Sequence, residues 1–374
     1  MESVQERDRL HVPMIESLHI AGFKLFRDLT LPKLGRVNLF VGENNTGKSC
    51  LLEAIALYAG RNLVTDIPQI LALRTVEPFH PWEKAGWNEE GTVLRHPIFD
   101  LFHQDESGGR NRDRATFLIE KVGDANSLLV KNHPLGYTTD EDGLRSSVPE
   151  KSDVFDFGPS EQAVFAFRGG VEAAQISRRF FRDLSFGGAL PVPYVPANGF
   201  SDLKAASMWD ALIQGPGQDR VLKWLRMIDR RIETLDYIAG RGTSRIALLK
   251  VEGQGRIPLS SLGDGLRRMF HIALAAAAAS KGVLLIDEFE NGLHWRVQRE
   301  LWAALATVVQ AFDVQIFATT HSRDCVGGFV SASKEAGIED AKLYRLEREG
   351  DEIYAVDLNL INVEAALRLN GEFR

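Results

Sequence analysis

Residues 14–31 alternate apolar and polar positions around Ile15, Leu18, Ile20, Phe23, Phe26 and Leu29. Period two belongs to strands with one wet face, and Gly22 interrupts the run, so two short strands joined near that glycine are predicted. Arg36-Val37-Asn38-Leu39-Phe40-Val41 predicts a buried strand, and 49–59 predicts a helix closed by Gly60. From 61 to 150 the pattern weakens: 116–122 and 127–131 predict a hairpin around Asp124-Ala125-Asn126, while the polar, glycine-rich stretches 106–114 and 136–151 read as loop. Three prolines within 191–196 forbid a helix there and confine any strand to a sheet edge.

Helical spacing returns at 209–212 and at 218–238, where Val221, Leu222, Trp224, Leu225, Ile228, Ile232 and Leu235 predict an amphipathic helix of about five turns. Its basic members Arg220, Lys223, Arg226, Arg230 and Arg231 fall largely on the polar side. A solvated face explains them, and so does contact with nucleic acid or a partner. A helix is predicted over 266–280, buried strands over 282–286 and 313–318, and a closing hairpin from 342–346 and 352–356. No repeat of 33–45 residues and no sustained heptads occur.

The 374 residues, 44% of them apolar, allow two or three domains, or one α/β domain with a large insertion. A net charge of -7 argues against a surface that coats itself in nucleic acid, though it leaves room for a local basic patch. Cys50 and Cys325 form neither a disulfide framework nor a zinc spacing. Lys24 and Arg27 break the first apolar stretch, and 272–279 is too short to span a bilayer, so the expectation is a cytoplasmic protein with no membrane helix or signal peptide.

The richest chemistry lies in Gly42-Glu43-Asn44-Asn45-Thr46-Gly47-Lys48-Ser49, a full G-x-x-x-x-G-K-[ST] loop set between a predicted strand and a predicted helix. Gly42 and Gly47 permit positive φ, so the backbone N–H groups of Asn44, Asn45, Thr46, Gly47 and Cys50 can curl around a β-phosphate at the positive end of the helix. Lys48 would neutralise the β- and γ-phosphates and Ser49 would offer its hydroxyl to magnesium. The loop alone does not separate kinases, GTPases, helicases and transport ATPases.

Later segments narrow the choice. The 282–286 strand delivers Asp287 and Glu288 to its C-terminal edge, placing one acid for the magnesium shell and the next to polarise an attacking water; two acids capping a helix is the plainer alternative. The strand over 313–318 leads to His321, which can reach a γ-phosphate or serve as a cap. Ser261 and Gly263 precede the 266–280 helix as a second anion cradle or as an ordinary N-cap. Two phosphate cradles in one chain are explained by a dimer in which each cradle completes the other subunit's site.

Taken in this order, the phosphate loop, Ser261-Leu262-Gly263-Asp264, Ile286-Asp287-Glu288 and His321 resemble the ATP-binding cassette type of ATPase. Met14-Ile15-Glu16-Ser17-Leu18-His19-Ile20-Ala21-Gly22-Phe23-Lys24 ahead of the loop resembles, more narrowly, the head domains of RecF, SMC proteins and the OLD family. The resemblance implies an α/β P-loop head domain with a mixed sheet, an antiparallel β lobe and an inserted helical lid. Residues 1–60 and 256–374 would be the two parts of the ATPase core and 61–255 the insertion, matched only in general organisation. ATP and magnesium are the implied cofactors. Lys48, Glu288 as base and His321 as switch are the implied catalytic residues, with Ser49 and Asp287 at the metal. Ser261 and Gly263 would contact the γ-phosphate across a head-to-head dimer, Glu290-Asn291-Gly292-Leu293-His294 would lie along its seam, and Lys24 would sit near the nucleotide. Leu262 and Asp264 depart from the glycine and glutamine of transporters, which counts against a transporter. Gln69 and Gln104 are both candidates for the magnesium-sensing glutamine.

Without coiled coils an SMC-type tether is not expected, and the residues after His321 are too few for the TOPRIM nuclease domain of OLD proteins. The leading expectation is therefore a stand-alone ATPase subunit similar to those of two-gene anti-phage systems related to OLD, such as PARIS. It would form a homodimer or higher homo-oligomer through the ATP site and act with a separate nuclease or TOPRIM-type effector. A RecF-like repair ATPase that binds DNA is the second reading, and a transport ATPase with a membrane subunit the third.

Overall fold

A computed structural model describes residues 14–60, 101–103, 116–122, 127–139, 145–149, 162–168, 171–176, 190–240, 242, 244–338 and 340–369. Gln69, Gln104, the 106–114 stretch and the Asp124-Ala125-Asn126 turn lie outside the described residues. Strands β1 (Leu18–Phe23) and β2 (Phe26–Leu31) form the expected hairpin, and the fully buried β3 (Val37–Val41) leads into helix α1 (Lys48–Gly60). Strands β4 (Thr116–Glu120), β5 (Ser127–Thr139), β6 (Arg145–Pro149), β7 (Gln162–Arg168) and β8 (Val171–Ile176) follow. They extend the first hairpin into an antiparallel sheet of order β2-β1-β4-β5-β7-β8, with β6 paired to β5. The 136–151 stretch is thus not all loop, because β5 continues to Thr139 and β6 pairs back on it from Arg145 to Pro149. Glycine and polar residues weaken the strand pattern there, but cross-strand pairing sets the outcome.

The proline-rich segment supplies β9 (Tyr194–Val195), a two-residue strand at a sheet edge, as its prolines require. Helix α2 (Asp202–Ala211) begins on Ser201, whose hydroxyl accepts the Lys204 N–H at 3.3 Å. Helix α3 (Gly217–Ile228) stops well short of 238. Asp229 turns extended, its carboxylate takes the Arg231 N–H at 3.0 Å, and β10 (Ile232–Ala239) starts beyond it. Arg226 fastens the corner by donating to the Ile232 and Glu233 carbonyls, both at 2.7 Å. Ile232 and Leu235 are buried all the same, because positions 3 apart can be read as helix while the alternating run 232–239 suits a strand once the chain has turned. The corner also answers for the basic face. Arg226 and Arg231 bond locally at the turn and the half-buried Arg220 guanidinium lies 4.1 Å from the Phe312 ring, while Lys223, Arg226, Arg230 and Arg231 remain exposed, as a solvated face requires.

Strand β10 joins β11 (Arg245–Val251) and β12 (Gly255–Pro258) in a small antiparallel sheet. The chain then runs through helix α4 (Asp264–Ala278), β13 (Val283–Ile286), helix α5 (Trp295–Phe312), β14 (Gln315–Thr319) and helix α6 (Arg323–Glu335). It closes with β15 (Ala341–Glu349), β16 (Glu352–Leu358) and helix α7 (Leu360–Arg368). The central sheet has the order β16-β15-β3-β14-β13-β9, parallel from β15 to β9 and antiparallel only at β16. Parallel strands need crossovers, and α5 and α6 supply them on one face while α1 covers the other.

Alternation along the strands sorts the core. Phe40, Leu285, Phe317 and Tyr344 face α1 and the β1–β2 hairpin, whereas Leu39, Leu284, Ile286, Ile316 and Leu343 face α4, α5 and α6. Phe40 stacks between Phe317 and Tyr344 at 6.4 and 5.9 Å. Each fully buried large side chain of this kind contributes about 1.5–3 kcal/mol. Helix α1 is buried on every side from Cys50 to Gly60, which locks the phosphate loop to the sheet. Among the described residues no helix is long and apolar enough to cross a membrane.

One buried histidine gives the fold a pH signature. His271 on α4 accepts the Phe200 N–H on Nδ1 at 3.1 Å, and burial, with Arg267 and Arg268 adding to it, pushes its pKa down to about 3. An unfolded histidine titrates near 6.5, so between these values the unfolded state binds the extra proton and stability is lost as pH falls. His271→Gln, which keeps an acceptor for Phe200, should flatten the fall of the urea midpoint between pH 6 and 4. The wild-type slope from this group is up to about 1.4 kcal/mol per pH unit. An unchanged slope would show that His271 is not the group responsible.

Candidate functional site

The phosphate loop joins β3 to α1 at the C-terminal edge of the central sheet. Gly42 and Gly47 have φ of 149° and 86°, and Asn45 takes a left-handed φ of 64°. Space is as demanding as conformation: a Cβ on Gly42 would lie 2.5 Å from the Leu346 carbonyl oxygen, and one on Gly47 would lie 2.8 Å from the Phe26 ring. Thr46 is buried and its hydroxyl donates to the Glu43 carbonyl at 2.9 Å, closing the loop, while Asn44 and Asn45 face outward. Lys48 and Ser49 open α1, where the first N–H groups have no acceptor within the helix. Cys50 is buried beneath them.

The Lys48 ammonium donates to the loop's own Gly42 and Glu43 carbonyls at 2.8 and 2.6 Å. Burial pushes its pKa down, while Asp287, Glu288 and Glu290 act in the opposite direction. The lysine of the loop thus feels the charge of three carboxylates from the end of β13. Asp287 is buried, with Oδ1 accepting from the Thr319 hydroxyl at 2.6 Å and Oδ2 within 3.4 Å of the Tyr194 hydroxyl. Glu288 is half-buried and adopts a left-handed φ of 47°. Such a conformation costs a non-glycine residue about 1–2 kcal/mol, which its surroundings offset. Its N–H donates to Thr319 Oγ1 at 2.8 Å and its carbonyl accepts from Arg268 at 3.0 Å.

His321 stands at the end of β14, largely exposed, with Nδ1 2.9 Å from Glu290 Oε1. This contact turns Nδ1 toward the carboxylate and leaves Nε2 as the ring nitrogen open to a ligand. Glu290 also accepts the His321 N–H at 2.8 Å and the Thr320 hydroxyl at 2.7 Å. The carboxylate therefore holds the whole Thr320-His321 turn. Thr319, Glu290 and Arg268 were not singled out by the sequence pattern for these tasks. The pair Thr319-Thr320 at a strand end was the available signal, since two buried hydroxyls there need partners.

Lys24 is held on the helix that follows the loop. It lies in the β1–β2 turn with φ of 48°, and its ammonium pairs with Glu53 of α1 at 2.5 Å, both side chains buried. Its charge is engaged with the helix behind the loop. Ser261, Gly263 and Asp264 are exposed at the start of α4; Gly263 has φ of 90° and no side chain caps the helix. This helix start packs on the loop after β13, because a Cβ on Gly265 would lie 2.9 Å from the Gly292 carbonyl oxygen.

The donor set fits a magnesium nucleotide. The loop has a cradle that side chains would fill, a lysine beside it, a hydroxyl at Ser49 and a buried acid opposite. Magnesium takes one or two protein carboxylates and most of its other ligands from phosphate and water. Asp287 supplies such a carboxylate.

Residues 37–324 match the family described as "AAA domain, putative AbiEii toxin, Type IV TA system". An ATP/GTP phosphatase of Helicobacter pylori is 24% identical over 338 residues, covering 84% of this chain and 86% of that protein. An uncharacterized protein of Methanocaldococcus jannaschii, MJECL10, is 35% identical over 92 residues, 25% of this chain and 37% of its own. Among solved structures, an SMC head bound to the C-terminal winged-helix domain of ScpA superposes with a TM-score of 0.52 at 13% identity, over 94% of this chain and all of that one. That likeness shows the fold, that of an SMC head.

Proposed function

The chain belongs to the family described as "AAA domain, putative AbiEii toxin, Type IV TA system", and from that premise we propose that this ABC-type AAA ATPase hydrolyses ATP at a site shared between two copies. The observation that carries the reading is the pairing of a loop-and-carboxylate half-site with a second, exposed and uncapped helix start at Ser261 and Gly263. The phosphatase name of the Helicobacter relative supports the hydrolytic chemistry.

In this reading, Lys48 and the loop N–H groups bind the phosphates, and Ser49 and Asp287 hold the magnesium shell. Bound magnesium would supply charge to the β- and γ-oxygens. Glu288 accepts the proton of the attacking water, held toward it by a backbone fixed at both N–H and carbonyl. His321, oriented by Glu290, offers Nε2 to the γ-phosphate. Ser261 and Gly263 of the second copy cover that phosphate, so ATP acts as a dimerisation ligand. The homodimer's nucleotide state would be read by a separate effector of the nuclease or TOPRIM class in anti-phage defence. The family's description as a putative toxin supports that, and the SMC head of the same fold, solved bound to the winged-helix domain of ScpA, is a precedent for a partner domain on such a head.

Mixing two inactive variants tests the shared site. Lys48→Ala lacks a working loop and Ser261→Glu lacks a working cover, so each should be inactive alone. A mixed dimer regains one complete site, and the equimolar mixture should hydrolyse ATP well above the sum of its parts. A mixture no more active than its components would mean that each chain works alone.

A further inference from the structure

Arg268 lies one turn into α4 and is almost fully buried, yet its guanidinium pairs with no carboxylate among the described residues. It donates instead to four backbone carbonyls: Pro196 at 2.5 Å and Ala197 at 3.3 Å from Nη1, Asp287 and Glu288, the latter at 3.0 Å, from Nη2. Nε has no partner among the described residues. Burial pushes the group down to about 10, with Asp287, Glu290 and Glu288 opposing, so it remains charged at neutral pH. A buried cation held, among the described residues, by peptide oxygens is costly as mere packing, since an apolar side chain would fill the space without desolvating a charge.

The carbonyls it grips define its use. Two belong to the segment after β9 and two to the acids at the end of β13, the second of them the left-handed Glu288. His271, one turn further along α4, takes the Phe200 N–H, and Asn291 donates to the Ala197 carbonyl at 2.9 Å. Helix α4, the 196–200 segment and the 287–291 loop are therefore stapled together, and Arg268 is the member that touches all three.

We propose that Arg268 is a positioning residue that couples the exposed start of α4 to the carboxylate pair Asp287 and Glu288. Contact of Ser261 and Gly263 with nucleotide on a second copy shifts α4 along or about its axis. The rigid helix carries the shift to the guanidinium fork, and the fork moves the Asp287 and Glu288 peptides into or out of register with the phosphate loop. Hydrolysis in one copy thereby depends on engagement by the other. This rests on the shared-site reading, but the fork itself can be tested apart from it.

Arg268→Lys keeps the charge and loses the fork; Arg268→Gln keeps a polar donor and loses the charge. For both, kcat for ATP should fall about 10- to 100-fold, the range seen when an outer group that orients an active-site residue is removed, with KM for ATP unchanged. Hydrogen exchange without nucleotide should quicken at 196–200 and 288–291 while α1, β3 and β14 stay protected. The exchange measurement judges the staple even if wild-type protein proved not to hydrolyse ATP, an outcome that would count against the shared site alone. Wild-type kcat in both variants, or unchanged exchange at 288–291, overturns the proposal. Loosened exchange throughout the central sheet also overturns it, since Arg268 would then be a packing residue only.

Discussion

Glu288→Gln is expected to bind ATP, turn it over about 10²–10⁴ times more slowly than wild type, and accumulate as a nucleotide-filled dimer. Glutamine matches glutamate in shape, so the left-handed backbone at 288, its N–H on Thr319 and its carbonyl on Arg268 are all kept. What is lost is the carboxylate proposed to take the water proton. Removing one negative charge from the three facing Lys48 also eases binding of an anionic ligand, so affinity should hold or rise. Single-turnover hydrolysis beside equilibrium binding of ATP separates the two effects. A turnover rate equal to wild type would remove Glu288 as the base and shift attention to Glu290 or His321.

Lys48→Ala is expected to fail earlier, at binding. The ammonium sits at the mouth of the loop on the Gly42 and Glu43 carbonyls, within hydrogen-bond reach of both. Charge-assisted bonds from such a group are worth about 1.5–3 kcal/mol each, so losing it should weaken ATP binding by roughly 10- to 100-fold for each bond lost. The negative charge of Asp287, Glu288 and Glu290 would then act on the loop without the lysine to offset it, adding repulsion toward phosphate. The fold should survive, because α1 is anchored by its buried residues from Cys50 to Gly60. Calorimetric titration with ATP and magnesium measures the loss, and wild-type affinity in a folded Lys48→Ala protein would contradict the role given to the lysine.

The parts of this site that were legible in the sequence are those set by neighbours in the chain. A glycine loop between strand and helix, and an apolar run that ends in two acids, can be recognised because conformation and chemistry lie within a few residues of each other. The β1–β2 hairpin and the edge position of β9 were legible for the same reason, through alternation and proline. The failures are equally physical. Helix α3 was overextended because Ile232 and Leu235 fit helical spacing, while the corner that ends the helix depends on Arg226 and Asp229 reaching across a turn. The partner of Lys24, the buried Glu53 on α1, is likewise one that only the fold brings to it. Thr319, Glu290 and Arg268 orient the site through contacts of 19 to 32 residues' separation, which no local pattern contains.

The shared nucleotide site is the central claim, and light scattering of Glu288→Gln with and without ATP and magnesium tests it most directly. The account predicts a monomer without nucleotide and a dimer with it, reverting when Ser261→Glu is added to the same chain. A Glu288→Gln protein that binds ATP but stays monomeric at every concentration would contradict it.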